Sequence, residues 1–194
     1  VTAPALDSAE EGIVEALAKA GYVDGQNIKI VYQNPEANPS TLTNAAISLV
    51  NDCDIIFAIA TPAAQAVKAE IENQGKNTPL IFTAVTDPEA AGLTNCDFIT
   101  GTNDMNPVAD QVALIKDIKA DAKKMGVIYS SNEVNSQVQC DLATAKAASL
   151  GMTTSTQTIT SVNEITNAVS ALVSDGCDAI YLPTDNVIAT AVAT

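Results

Sequence analysis

One passage of this chain occurs twice, and no other feature limits the possible folds as much. Residues 43–57 read TNAAISLVNDCDIIF and residues 166–181 read TNAVSALVSDGCDAIY. Thr43-Asn44-Ala45 recurs as Thr166-Asn167-Ala168, and Leu49-Val50 recurs as Leu172-Val173. One extra residue, Gly176, then brings Cys53-Asp54 onto Cys177-Asp178. Each copy has the pattern of an amphipathic helix, a tight turn and a buried strand. A helix–strand unit used twice predicts two lobes of similar topology with a cleft between them, an arrangement suited to closing on a small molecule.

The rest of the chain alternates in the same way. Helical spacing runs over 8–20 and ends at Gly21, while Ile28, Ile30 and Tyr32 alternate as a strand over 27–33. Continuous apolar runs at 54–60 (DIIFAIA) and 79–85 (PLIFTAV) read as strands covered on both faces. Thr61-Pro62 begins a helix with proline in its first turn. The stretch 99–103, with Thr100-Gly101-Thr102, is a candidate crossover between lobes, dividing the chain into 1–101 and 102–194. Beyond it come a helix at 108–119, a strand at 124–129, a polar stretch at 130–136 leading into a helix that ends near Leu150-Gly151, a threonine-rich strand at 153–160, the second repeat helix at 163–174 and a strand at 179–182. Strands alternating with helices predict an α/β fold of two Rossmann-like lobes with parallel sheets and right-handed crossovers. Val1-Thr2 reads as the tail of a first strand, and the last residues read as the inside of a helix, so the chain is expected to be truncated at both ends.

Composition narrows the chemistry. The 194 residues are 47% hydrophobic and carry a net charge of −14, with all 9 basic residues lysine. Such a surface repels nucleic acid and anionic membrane, so neither is expected as a partner. No run is apolar for long enough to span a bilayer. With no histidine, the commonest general base and transition-metal ligand is missing. With no arginine, an anion has to be held by backbone N–H groups, hydroxyls, amides or a lysine. Cys53, Cys96, Cys140 and Cys177 lie far apart without zinc-ligand spacing. Cys53 and Cys177 read as small core residues at the starts of strands. No metal or other cofactor is implied.

In open parallel sheets, ligands bind beyond the carboxyl ends of the strands. Four such ends carry polar residues ahead of a helix or turn: Thr61-Pro62-Ala63, Thr86-Asp87-Pro88, Ser130 to Ser136, and Thr184-Asp185-Asn186. Past the inserted glycine, Thr61 corresponds to Asp185, so the two lobes present a hydroxyl and a carboxylate at matching places. A helix start at Thr61, with small residues Ala63 and Ala64 behind it, favours an anion. Ser136 and its neighbours open another helix, and Asp185 favours a cation such as an ammonium. One anion site and one carboxylate are what an α-amino acid zwitterion requires. Alternatively Thr61, Asp87, Ser136 and Asp185 serve only as helix N-caps, and Glu133 and Asn135 lie on a solvated loop. Tyr129 and Tyr181 are expected in the core, each hydroxyl with a partner.

The segments PALDSAEEGIVEALAKAGYVDGQNIKI, IATPAAQA, IFTAVTDPEAAGL, GVIYSSNEVNS and AIYLPTDN span almost the whole chain. On them the chain resembles the substrate-binding proteins of ABC transporters of the tryptophan- and tyrosine-binding type. The resemblance implies a type I periplasmic-binding fold. It implies a non-enzymatic, monomeric receptor outside the cytoplasmic membrane, in the periplasm or lipid-anchored, that hands an aromatic amino acid to a membrane permease. Carried over, Thr61 and the following N–H groups would hold the ligand carboxylate, Asp185 would take the ammonium, and Asn135 and Ser136 would add contacts. Pro62, Ala63, Thr86, Asp87, Asn132, Glu133 and Asn186 would line the cleft, and residues 4–7 match a loop that lies over the ligand. Two other readings share the fold or the residues: a ligand-sensing module of a larger receptor, and a hydrolase or isomerase using Asp87, Glu133 or Asp185 as acid and base.

Overall fold

The computed structural model describes residues 4–36 and 38–191. The chain divides into two compact units, Val1–Asp104 and Met105–Thr194.

The first unit opens with helix α1 (Pro4–Lys19). The loop expected at 4–7 is therefore the first turn of a helix. Proline lacks only an N–H that a helix start leaves unused, and Asp7 lies favourably at the positive end of the dipole. The strand expected at 27–33 does not form. One isolated bridge, Asp24 to Ile28, and a bond from Ile30 N to Asp24 Oδ1 at 2.7 Å hold this segment. Alternation there gives Ile28 and Ile30 a more sheltered face. A strand also needs a neighbour to bond with, and none of the described residues supplies a ladder. The expected strand tail at Val1-Thr2 lies outside the described residues.

The repeat follows as helix α2 (Pro39–Asp52), strand β1 (Ile56–Ile59) and helix α3 (Thr61–Asn73). Asn38 caps α2, its Oδ1 accepting from Ser40 N and Thr41 N at 3.0 Å. Strand β2 (Leu80–Val85) lies between β1 and β3 (Ile99–Asn103), all parallel. The stretch expected to cross between lobes is, among the described residues, the outer strand of the first sheet, and the first unit ends directly after it, at Asp104 rather than Gly101. Gly101 sits opposite Phe82, where a Cβ would lie 2.2 Å from the Phe82 carbonyl oxygen and 2.5 Å from its ring. Only glycine lets the two strands approach in this way. Ile56, Ala58, Val67, Ile71, Leu80, Phe82 and Val85 form the buried core. β1 buries alternate residues rather than both faces, and Ile55 ahead of it stays exposed.

The second unit contains helix α4 (Val108–Ile118), strand β4 (Lys124–Ser130), helix α5 (Val134–Ser149), strand β5 (Thr153–Ile159), helix α6 (Ile165–Ser174), strand β6 (Ala179–Tyr181) and the short helix α7 (Asn186–Ala189). β4 is central, parallel to β5 on one side and β6 on the other. Met125 and Val127 pack with Val112, Cys140, Ala143 and Ala147 from α4 and α5. Ile128 points the other way, into Ile159, Ala168, Leu172 and Ile188. Both faces of β4 are covered, as its unbroken apolar run requires.

The residue inserted into the second repeat has a structural purpose. Gly176 takes φ +73° just past α6, with Gly176 N bonding Val173 O and Cys177 N bonding Leu172 O, the paired bonds of a left-handed helix stop. α2 ends without this device, Cys53 N bonding Leu49 O. Cys53 and Cys177 are half-buried, and Cys177 packs against the core cluster of Ile128 and Leu172; Cys140 is the buried thiol, and all four cysteines are free. The repeated Asp54 and Asp178 also diverge. Asp54 is exposed. Asp178 accepts from Lys123 N at 2.7 Å and Lys124 N at 3.1 Å and pairs with Lys119. These contacts, the Lys119 hydrogen bond foremost, hold its carboxyl well below the usual carboxylate range. Its stabilisation is therefore complete above the ordinary value of 3.8 and is lost as pH falls through the depressed one. Asp178→Asn is expected to lower the thermal midpoint at pH 7, with the deficit shrinking on acidification below pH 3.8.

Candidate functional site

The polar residues of the first unit sit beyond the ends of β1 and β2. Ala60 continues the ladder through its N–H to Thr83 O at 3.0 Å, then turns sharply with φ +78° and ψ 153°, a region alanine rarely enters. Thr61 follows, 2% exposed, as the first residue of α3. No side chain caps this helix, and Pro62 contributes no N–H. The helix start therefore leaves the N–H groups of Thr61 and Ala63 without intrahelical acceptors. Near the end of β2, Ala84 also has positive φ, at 54°, where the pairing with β3 shifts register, and Thr86, just past the strand, is buried. Asp87 Oδ1 accepts from Glu89 N and Ala90 N at 3.0 Å, so its carboxylate holds its own turn.

In the second unit, the parallel pairing of β4 with β6 brings Ser130 to Ser136 beside Thr184-Asp185-Asn186. Asp185 is 2% exposed. Its Oδ1 accepts from Val187 N and Ile188 N at 2.9 Å, capping α7, while Oδ2 accepts from Ser130 N at 2.6 Å. The cap reading of Asp185 therefore fits, whereas in α3 the cap position falls on Ala60 and Thr61 lies inside the helix. The matching places of the repeat are one residue out of step at the helix start. Both Asp185 oxygens already accept backbone N–H groups, two at Oδ1 and one at Oδ2, so an ammonium could add only at the remaining lone pair of Oδ2.

Glu133 and Asn135 are not on a solvated loop. Both are buried, at the entry to α5 and in its first turn. Glu133 Oε2 accepts from Asn135 Nδ2 at 3.0 Å, Asn186 N at 3.0 Å and Asn186 Nδ2 at 2.7 Å. Asn135 Nδ2 also reaches Thr184 O at 2.9 Å and Ser136 Oγ at 3.3 Å. Ser136 is fully buried in the helix rather than capping it. Asn132 is exposed. Two polar atoms in this cluster, the acceptor Asn135 Oδ1 and the hydroxyl Ser130 Oγ, are buried without a hydrogen-bond partner among the described residues.

Burial, and then the nearby charge of Asp185, push the Glu133 carboxyl above its ordinary value of 4.5. The ion pairs of this unit are Lys119–Asp178 and Lys124–Asp175, so among the described residues no lysine neutralises Glu133 or Asp185. Between 4.5 and the raised value the folded state holds the extra proton, so stability falls as pH rises through that window. In the absence of ligand, Glu133→Gln is expected to raise the thermal midpoint at pH 7 and to lose that advantage near pH 4.

Sequence reasoning missed Gln139. It is fully buried, and its Oε1 accepts from Thr184 N at 3.0 Å and from the Tyr181 hydroxyl at 3.5 Å. Tyr181 also donates to Gln111 Oε1 at 3.2 Å, and Tyr129 donates to Gln137 Oε1, so both tyrosine hydroxyls have the partners expected of them. The available signal was phase. Asn135, Gln139, Ala143 and Ala147 share one buried stripe of α5 at four-residue spacing, and its first two positions are polar.

Among the described residues, no helix is long and apolar enough to cross a membrane, and no group of three or more acidic or cysteine side chains is placed to hold a metal ion. The family described as ABC transporter substrate binding protein matches residues 1–194. A tyrosine-binding protein from Clostridioides difficile is 39% identical over 95% of this chain and 54% of its own length. An ABC domain from Streptococcus pneumoniae, solved in complex with L-Trp, is 38% identical with a TM-score of 0.89, covering 98% of this chain and 64% of that one. A leucine-binding protein, LivK, from Thermotoga maritima shares the type I periplasmic-binding fold at 20% identity and a TM-score of 0.70, over 89% of this chain and 49% of its own. The chain thus spans between about half and two thirds of the length of these relatives. It belongs to the ABC transporter substrate-binding protein family.

Proposed function

We propose that this protein is the extracytoplasmic substrate-binding component of an ABC importer, binding a small zwitterion, an aromatic amino acid, and passing it unchanged to a membrane permease. The observation that carries the proposal is the buried acceptor cluster of the second unit. Two buried carboxylates that have no lysine partner among the described residues, together with the unpaired Asn135 Oδ1, favour a cationic donor. An ammonium supplies one. In the first unit, the start of α3, with the N–H groups of Thr61 and Ala63, suits a carboxylate without arginine. Thr86 and Asp87, past β2 in the first unit, and Asn132, Ser136 and Asn186, beside the acceptor cluster in the second, are the candidates for further contacts in each unit. Relatives described by their tyrosine and L-Trp ligands point to an aromatic side chain.

The energetics are adequate. A micromolar complex needs roughly −8 kcal/mol, and each charge-assisted hydrogen bond contributes about 1.5–3 kcal/mol. Native mass spectrometry of the full-length protein, purified without added ligand, is expected to show a retained amino acid. Calorimetry is expected to give micromolar or tighter binding of L-tryptophan or L-tyrosine, with the compound recovered unaltered. Binding of neither, or conversion of either, would overturn the proposal. Conversion would favour the acid–base enzyme.

A further inference from the structure

We infer that Glu133, not Asp185, is the carboxylate that meets the ligand's ammonium group, with Asn135 Oδ1 as its second acceptor and Asp185 as the residue that positions both. This rests on the proposed amino-acid ligand and assigns its cationic end. The two acids of the cluster are used differently. Asp185 has given both oxygens to backbone N–H groups, at 2.6 to 2.9 Å. Those bonds fasten the end of β4 to the start of α7, and so set where Ser130 and Asn186 lie. Glu133 commits only Oε2, and Oε1 accepts no hydrogen bond from any described residue.

The Asn135 amide cannot turn over to fill that place. Its Nδ2 is claimed by Glu133 Oε2 and Thr184 O, both acceptors, which leaves Oδ1 fixed, buried and unpaired. An unpaired carboxylate oxygen and an unpaired amide oxygen, anchored to each other through one hydrogen bond, make a receptor for N–H donors. A hydroxyl can satisfy one of them, whereas an ammonium satisfies both and supplies the missing positive charge. The raised Glu133 carboxyl fits a negative charge buried ahead of its counter-ion. The titratable group facing it is Asp185. Cys140 and Tyr181, behind the cluster, stay neutral, burial pushing both up to about 12.

The test is calorimetry on the full-length protein with L-tryptophan and L-tyrosine, each beside its des-amino counterpart, indole-3-propionate and 3-(4-hydroxyphenyl)propionate. Glu133→Gln keeps the shape and removes the charge. It is expected to weaken the amine-bearing probes about 30-fold and to leave the des-amino acids unchanged or slightly tighter. A second measurement needs no variant. Wild-type affinity for the amine-bearing probes is expected to fall as pH drops through the protonation of Glu133, while that for the des-amino acids does not. Equal loss for both probe types, no loss, or a pH profile shared by both would overturn the assignment while leaving the amino-acid receptor standing. A wild-type protein that bound neither amine-bearing probe would overturn both.

Discussion

Asp185→Ala is expected to destabilise the second unit by about 4 kcal/mol, the largest effect of any single substitution in the cluster. The carboxylate satisfies three backbone donors in a site only 2% exposed: Ser130 N, Val187 N and Ile188 N. Removing it strands all three. A lost cap alone costs about 1 kcal/mol, and each buried donor left unpaired costs about 1–3 kcal/mol. Asp185→Asn is expected to lose about half as much, because its amide still accepts at one end but faces a donor with a donor at the other. Denaturant unfolding followed by circular dichroism measures both variants. If Asp185→Ala stays within about 1 kcal/mol of wild type, these bonds do not brace the end of β4. Affinity is expected to fall in the same variant, through the displaced Ser130 and Asn186, for amine-bearing and des-amino probes alike. That shared loss distinguishes a positioning residue from the amine-specific loss expected of Glu133→Gln.

Gly101→Ala should destabilise the first unit by about 3 kcal/mol, the upper end of what overpacking costs. The new methyl would meet a backbone carbonyl at 2.2 Å. A carbonyl in the middle of β2 cannot swing aside as a side chain can, so the β2–β3 register has to open. Gly126→Ala makes an instructive contrast. There the methyl would meet the tip of Leu172 at 2.8 Å, a flexible contact that can shift, and a smaller loss is expected. If thermal melts gave the two variants equal midpoints, the close approach of β3 to β2 would not be what requires glycine.

The main elements were legible because their signals are local. The buried strands at Ile56–Ile59, Leu80–Val85 and Lys124–Ser130 declare themselves as apolar runs, and the repeat declares its helix–turn–strand order twice. Failures came where structure depends on a partner distant in sequence. The alternating residues 27–33 have the pattern of a strand and no ladder to join. The loop at 4–7 came from the resemblance alone, and the proline there suits a helix start as well as a loop. In the Thr100-Gly101-Thr102 stretch, glycine fits a connection and a close strand approach alike, and only its place opposite Phe82 shows the strand that precedes the end of the first unit. The candidate site was visible as a set of polar residues at strand ends. Which oxygens are already used within that set is a property of hydrogen bonds between segments about fifty residues apart, such as Ser130 with Asp185 and Glu133 with Asn186.

The sequence by itself determined the alternating α/β order, the duplicated unit, the absence of histidine and arginine, and hence a site built from carboxylates, amides, hydroxyls and helix starts. These follow from residue types and spacing, which act over one or two turns. Only the tertiary structure decided the division of labour between the two acids. Parallel pairing of β4 with β6 sets Ser130 N against one of them and leaves an oxygen of the other open, and a carboxylate's chemistry depends on which of its lone pairs its neighbours have filled.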